Sequence, residues 1–184
     1  MFKMPTNKLI NEIDALLTTK NGPENVEIYL KEKLNDLYLK SAASESEYLD
    51  FYFAKLHFYR KIKAPDSKLE ECCSQILFRE PQNQDILLQR AMLRYHQNKI
   101  VLSELDFDAL NPDFLAEKRK DEKIDFAEKS VKKSAPEAKK QEIDKMINFG
   151  KNLSNKILGK FGLSLNNFEM TDNPDGTKSI NIKK

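Results

Sequence analysis

The residue types that most often carry chemistry are few in this sequence, and they are poorly placed to work together. Cys72 and Cys73 are adjacent, so a disulfide between them would be strained, and no second cysteine pair exists to complete a zinc site. His57 and His96 fall on different predicted helices, with no cysteine or carboxylate at ligand spacing. We therefore expect two reduced cysteines and two packing or surface histidines.

Two further patterns resemble ligand-binding loops only in part. Asp106, Asp108 and Asp113 lack the turn glycine and the final glutamate of a calcium loop, so we expect them at the exit of a helix. The C-terminal glycines are separated by helix-forming residues, which predicts packing or capping positions rather than a phosphate cradle: Gly150, Gly159 and Gly162. The sequence therefore predicts a protein that is not an enzyme and uses no cofactor and no metal.

Composition narrows the class of protein and of partner. The chain has 184 residues, of which 40% are hydrophobic and 33% charged, as in a helical domain with a long charged element. Its 31 basic and 29 acidic residues give a net charge of +2, which makes a nucleic-acid or membrane partner unexpected. Without a signal-like N-terminus or about 18 consecutive apolar residues, the chain is predicted to be soluble and cytoplasmic.

Apolar residues at helical spacing predict an all-α fold. A first stripe runs from Leu9 to Leu17, and a second helix is expected over Pro23–Lys40. Further helices are separated by breakers at Pro65, Pro81 and Pro112. We divide the chain into three parts: a helical domain over residues 6–112, a charged helix or linker over 113–140, and a C-terminal helix with a short β-hairpin over 141–184.

Two helical segments match each other along the first part. Residues 48–56 align with residues 85–93 at a spacing of 37, with Ala54 over Ala91. Each segment is followed by a breaker, a second helix and a proline, Pro81 or Pro112. Paired antiparallel helices with a small residue at their crossing resemble degenerate tetratricopeptide repeats. About two and a half such repeats are expected, with the N-terminal helix as a cap.

The C-terminal part combines a helix with a hairpin. Ile143, Met146 and Ile147 begin an amphipathic helix, and Phe161 and Leu163 follow in a glycine-broken segment. Asn-Pro-Asp-Gly at residues 173–176 is a turn sequence between two alternating strands, which carry the apolar residues Phe168, Met170, Ile180 and Ile182. Because isolated hairpins are marginal in water, this one is expected to pack as an internal plug or, alternatively, to dock a partner.

Residues 47–184 resemble the tetratricopeptide repeat protein 1 family, most closely in the tail from Asp144 to Ile182. The resemblance implies a shortened, divergent member of a group of cytosolic adaptors, linked to heat-shock chaperones and to small or heterotrimeric G proteins. It implies a function in protein–protein interaction. The partner-binding residues are then expected in the repeat groove and in the tail at Phe161, Leu163, Phe168, Ile180 and Ile182.

Repeat proteins of this kind also grip acidic chaperone tails, through a groove of two lysines, two asparagines and an arginine. Lys31 and Asn35 match the first pair. Tyr52 stands where the second asparagine is expected, while Asp85 and Gln89 replace the second lysine and the arginine. Since Asp85 would repel a carboxylate, we expect the clamp to be mostly lost and acidic tails to bind weakly.

The charged segment allows a second functional hypothesis. Between Glu117 and Lys140 it has nine basic and six acidic residues, a net charge of +3. We expect a solvated helix or partly disordered connector, broken near Pro136. Without interleaved aromatic residues it is a weak candidate for RNA binding. The alternative is nevertheless a ribosome- or translation-associated factor that uses this basic connector.

Overall fold

The computed structural model describes residues 8–40, 42–159, 168–172 and 178–182, with side chains for 8–40, 42–150, 152 and 156. Within these ranges the protein is mainly helical. The helices are α1 (Lys8–Leu17), α2 (Gly22–Leu39), α3 (Glu45–Lys61), α4 (Asp66–Arg79), α5 (Gln84–His96), α6 (Ile100–Asp108), α7 (Pro112–Lys118) and α8 (Glu122–Gly159). The strands are β1 (Phe168–Asp172) and β2 (Lys178–Ile182).

The chain divides into two compact units, Met1–Ala135 and Pro136–Lys184. In the second unit, β1 and β2 pair antiparallel, with Phe168 opposite Ile182 and Met170 opposite Ile180. Residues 173–177, where the turn is predicted, lie outside the described residues, as do Phe161 and Leu163. The partner-binding roles predicted for the tail therefore stay predictions.

Local sequence explains where the helices of the first unit begin and turn. Ser44 caps α3 in a capping box, because its hydroxyl accepts from the Glu47 N–H at 3.2 Å while the Glu47 carboxylate accepts from the Ser44 N–H at 2.9 Å. At the α1–α2 turn, a Cβ on Gly22 would lie 2.5 Å from the Leu17 carbonyl oxygen. Only glycine fits there without a shift of the backbone.

The turns after α3 and α5 have the same geometry. Lys63 and Asn98 adopt positive φ values of 51° and 58°, the left-handed conformation that commonly ends a helix. These turn residues are 35 positions apart (98 minus 63), whereas Ala54 and Ala91 are 37 apart (91 minus 54). The two helix pairs therefore share a turn without sharing one constant period. The difference arises because α3 continues for seven residues beyond Ala54 (61 minus 54), whereas α5 continues for only five beyond Ala91 (96 minus 91).

Consecutive helices from α1 to α6 pack against each other around one hydrophobic core. Ala54 and Ala91 are both fully buried, as expected for positions where helices approach closely. Ile13 of α1 is also fully buried, and α1 packs on both α2 and α3. The N-terminal helix is thus a full partner of α2 in the first helix pair.

Polar contacts sort these helices into two layers. The odd-helix layer joins α1, α3 and α5: Lys61 pairs with Asp14 at 3.0 Å, and Arg60 donates to the Gln89 side-chain oxygen. The even-helix layer joins α2, α4 and the start of α6. In it Lys68 pairs with Glu27 at 3.1 Å, and Lys99 pairs with Glu70 at 2.5 Å. These contacts link helices within each set, while other ion pairs, such as Lys55 with Glu71 at 3.4 Å, join an odd helix to an even one.

The helix α8 continues through Pro136, where the sequence suggested a break. Proline has no N–H, so the carbonyl of Lys132 loses its helical partner. Both residues are exposed, so water can satisfy that carbonyl. Upstream of this point α8 belongs to the core, since Ala127, Val131 and Ala135 are fully buried.

Candidate protein-binding groove

A groove of about 400 Å³ lies between α2 of the even-helix layer and α3 of the odd-helix layer. We call it the α2–α3 groove. Its lining comes from one side of each helix: Glu27, Ile28, Leu30, Lys31 and Leu34 of α2, with Phe51, Lys55 and Tyr59 of α3. Val26, Leu30 and Leu37 repeat at helical spacing and are buried, which anchors α2 on α3 and holds the rim residues outward.

The base of the groove is apolar and aromatic. Phe51 and Tyr59 of α3 are buried, and Leu34 of α2 is half-buried beside them. Lys68 of α4 places its ammonium 4.8 Å from the centre of the Tyr59 ring, and Lys55 lies 5.7 Å from the same ring. Burial raises the pKa of Tyr59, and Glu27 adds to the effect, so this phenol remains neutral and can donate a hydrogen bond.

The charges around the groove do not cancel. Lys68 pairs with Glu27 at 3.1 Å, and Lys55 pairs with Glu71 at 3.4 Å. Lys31 is exposed and forms no ion pair with another residue in the described part of the chain. Three lysines against two glutamates leave one positive charge beside an apolar base. Such a surface suits a segment with a bulky apolar side chain and a neighbouring carboxylate.

The exposed large hydrophobic residues extend this surface. In the described part of the first unit they all lie on even-numbered helices: Ile28, Tyr38, Leu39, Phe78, Leu102, Leu105 and Phe126. A second groove of about 450 Å³ follows between α4 and α6, with Leu87 and Arg90 of α5 at its base. Phe78, which is 82% exposed, stands at its edge. Exposed apolar side chains on one layer are a common mark of a protein-binding face.

The five positions compared with the chaperone clamp have different surroundings. Lys31 lines the α2–α3 groove, and Asn35 is exposed one turn further along α2. Tyr52 is buried, with the Arg79 guanidinium 5.1 Å from its ring centre. Asp85 and Gln89 are half-buried on α5, where Gln89 is bonded to Arg60 of the odd-helix layer. Lys31 and Asn35 thus belong to the even-helix layer, whereas Asp85 and Gln89 belong to the odd-helix layer.

A buried ion network in α4, α5 and α6 was missed by the sequence analysis. Asp106 is only 4% exposed and accepts two bonds from Arg90, at 2.8 and 3.0 Å, and one from Arg94 at 2.9 Å. Arg94 also donates to Glu70 at 2.9 Å. Burial alone would raise the pKa of Glu70, but the bonds from Lys99, Arg94 and Gln97 outweigh it and lower that pKa.

The sequence held one signal for this network. Arg90 and Arg94 are four residues apart, and Arg90 falls within the apolar face of its helix, where an unpaired charge would be very costly. A buried arginine requires an acid, and Asp106 was available on the next helix. The acid predicted at a helix exit is therefore a core residue that joins three helices.

The surroundings of the cysteines and of His57 differ from those of catalytic residues. Cys72 and Cys73 are free and buried, and burial raises the pKa of each thiol to about 12. Neither is a reactive thiolate at neutral pH. His57 lies 2.8 Å from an Asp14 carboxylate oxygen in the odd-helix layer, a carboxylate contact that sequence spacing did not indicate. In the described part of the chain, no cluster of histidine, cysteine and acidic residues could hold a metal ion.

Comparison of the chain with protein-family models, curated proteins and solved structures gave no match. The resemblance to the tetratricopeptide repeat protein 1 family therefore stays a prediction. In the described residues, no helix has the length and apolar character needed to cross a membrane.

Proposed function

We propose that the chain is a non-enzymatic adaptor that binds other proteins through the even-helix layer of a degenerate tetratricopeptide-like domain. One observation carries the proposal: one wall of the α2–α3 groove is α2, and the exposed large hydrophobic residues in the described part of the first unit, apart from Phe126, lie on α2, α4 and α6. The repeated turn after α3 and α5, and the buried Ala54 and Ala91, support the repeat character of the domain. The adaptor acts in the cytoplasm, as the family resemblance implies.

The partner segment has a bulky apolar residue next to an acidic one. The apolar side chain packs on Ile28 and Leu34, above the buried Phe51 and Tyr59, and the carboxylate meets Lys31. This differs from the chaperone clamp, which needs cations and amides from several helices on one face. A heat-shock chaperone or a G protein, implied by the family resemblance, would therefore bind through a different contact from an acidic C-terminal tail.

The connector gives less support to the ribosome alternative. Arg119 donates two bonds of 2.6 Å to Glu128, which also pairs with Lys132 at 2.7 Å, while Lys129 pairs with Asp125 at 2.7 Å. Several basic side chains of this segment are thus already matched by acids of the same segment. Fewer cations remain to release counterions from phosphates.

Quantitative affinity purification with two variants tests the proposal. Ile28→Asp with Lys31→Glu changes two exposed residues of the groove, while Asn11→Asp on α1 is the control on the odd-helix layer. We expect the control to retain the proteins captured by the wild type and the groove variant to lose them by about tenfold. An identical set of proteins with all three chains would overturn the proposal. Ribosomal proteins retained by the groove variant would favour the alternative.

Calorimetry with a peptide that ends in Met-Glu-Glu-Val-Asp tests the lost clamp separately. We expect no affinity in the low micromolar range, since Asp85 and Gln89 replace two of the required cations. Low-micromolar binding would show that the clamp functions despite these replacements. It would also move the binding surface away from the even-helix layer.

A further inference from the structure

The second half of α8 exposes hydrophobic side chains where an ordinary surface helix would hide them. Ile143 is 56% exposed, Met146 73%, Ile147 48% and Phe149 70%. We call these four residues the distal α8 stripe. All side chains from residue 141 to 150 are exposed, so within the described residues nothing covers the stripe. These apolar side chains are therefore free to meet a surface outside the chain.

The stripe is wide and bordered by lysines on both sides. At about 100° per residue, its four members span an arc of about 160°. Lys140 falls about 20° beyond the Ile147 edge, while Lys145 and Lys156 fall within about 40° of the Phe149 edge. All three lysines are exposed. Long lysine side chains at such edges can place their apolar stems along an apolar phase and keep their charges in water.

Residues 140–159 contain four lysines and two acidic residues. Asp144 lies about 60° beyond the Ile147 edge. Glu142, one residue upstream of Ile143, falls about 20° inside the Phe149 edge of the stripe. From Ile143 to Gly159 there are three lysines and one aspartate, a net charge of +2. This local net charge equals the net charge of the entire chain. The composition of the whole chain therefore does not show that positive charge collects in this segment.

The geometry points to an anionic lipid surface as the occupant: we propose that the distal half of α8 lies in the membrane interface, with the stripe among the acyl chains. A helix with a broad apolar face and lysines on its polar face behaves in this way. A two-stranded coiled coil with a second copy would need a narrow seam, and Gly150 would occupy a seam position, one heptad after Ile143. Phe149 would also lie outside that seam.

This binding differs from membrane crossing and from the function proposed above. No described helix is long and apolar enough to cross a bilayer, so the helix lies on the surface rather than spanning it. Each lysine near an anionic leaflet adds about 1 kcal/mol, and salt weakens that contribution. Lipid attachment would bring the even-helix layer and its protein partners to a membrane. The earlier expectation of no membrane partner considered spanning segments and total charge only.

Flotation of the full chain with lipid vesicles tests the proposal. The probes are phosphatidylcholine vesicles with and without about 30 mol % phosphatidylserine, at about 150 mM salt. We expect the wild type to bind the anionic vesicles at least about tenfold more tightly than the neutral ones. Glu142→Gln should bind more tightly still, because it removes the acid at the edge of the stripe.

A matched pair of variants separates insertion of the stripe from overall charge. Met146→Asp with Phe149→Asp and the control Asn148→Asp with Asn152→Asp each add two negative charges, the second pair on the opposite face. The stripe variant should lose vesicle binding by about tenfold or more, and the control by less than about threefold. Equal losses, or no binding by the wild type, would overturn the proposal. Sedimentation velocity that shows a dimer abolished only by the stripe variant, without vesicle binding, would make a second copy the occupant.

Discussion

Charged side chains are buried in the helices α4 to α6, whereas apolar side chains are exposed in the distal half of α8. In α4 to α6 the carboxylates of Glu70 and Asp106 are buried and bonded to arginines, and apolar residues such as Leu77 and Leu87 are buried as well. In distal α8, Met146 faces solvent at 73% exposure. The difference shows that the neighbours of a helix decide what is buried: α5 packs between α4 and α6, whereas every side chain of α8 from residue 141 to 150 is exposed.

The contrast has a functional meaning. A buried ion network fixes how three helices meet, because each charge requires its partner in one geometry. Its two carboxylates are buried, so they offer little surface to another molecule. An exposed apolar face is available to a partner and contributes little to the stability of the chain alone. The two regions therefore predict opposite responses to substitution.

The largest effect is expected from Asp106→Ala. It leaves Arg90 and Arg94 without their shared carboxylate in a buried setting, which should lower the free energy of unfolding by about 3–5 kcal/mol. Urea denaturation followed by circular dichroism measures this loss. Asp108→Ala, at an exposed site on the same helix, is the control and should change stability by less than about 0.5 kcal/mol. Equal losses of stability in the two variants would show that the buried ion network does not make Asp106 more important than an exposed acid.

Overpacking the contact between α5 and α6 should have the next largest effect. Ala91 is fully buried, and its carbonyl accepts a bond of 2.8 Å from the Ser103 hydroxyl. Ala91→Leu should therefore lower stability by about 1–3 kcal/mol, as extra methylenes force the helices apart. Ala116→Leu, at an exposed site on α7, should be close to neutral in the same urea titration. A neutral Ala91→Leu would mean that the helices do not approach closely there.

The dependence of stability on pH should respond differently to substitutions in the two halves of α8. The bonds from Arg119 lower the pKa of Glu128 to about 2, from an ordinary value of 4.5. A lowered folded-state pKa contributes stability above pH 4.5 that is lost as the pH falls towards 2, by about 1–2 kcal/mol. Glu128→Gln should flatten this part of the stability–pH curve, whereas the exposed Glu142→Gln should not. Parallel curves for Glu128→Gln and the wild type would contradict the assignment.

The smallest effect is expected in the distal α8 stripe. Met146→Ala should change the free energy of unfolding by less than about 0.5 kcal/mol, because that side chain is already in water. Leu56→Ala on α3, where the side chain is buried, should cost about 2–5 kcal/mol in the same measurement. A large loss of stability in Met146→Ala would show that the stripe is covered in solution. It would contradict the contrast between the two regions.

Most of the helical fold was predictable from local sequence. The stripe from Leu9 to Leu17 and the breakers at Pro65, Pro81 and Pro112 located the first six helices closely, because period and turn chemistry act over a few residues. Pro136 misled the prediction, since a proline at an exposed position removes one bond without necessarily ending a helix. The period of 37 was also only partly right, because the turns after α3 and α5 are 35 residues apart.

The candidate groove was much less predictable than the helices that form it. Lys31 was singled out from its sequence position, but nothing local placed it beside Lys55 and Tyr59 of α3. The same holds for the ion network, in which Asp106 is 16 residues from Arg90. These contacts depend on how separate helices meet, and a single sequence carries no direct record of that.

The sequence by itself determined the helical segments, their turns and the residues that share a face, because backbone geometry fixes the side-chain period within each helix. Only the tertiary structure decided what each face meets. It sorted the helices into two layers and placed Lys31 and Gln89 on different ones. It buried Asp106 and left Met146 exposed. The physical reason is that burial depends on contacts between helices that are distant along the chain, whereas helix formation depends on near neighbours.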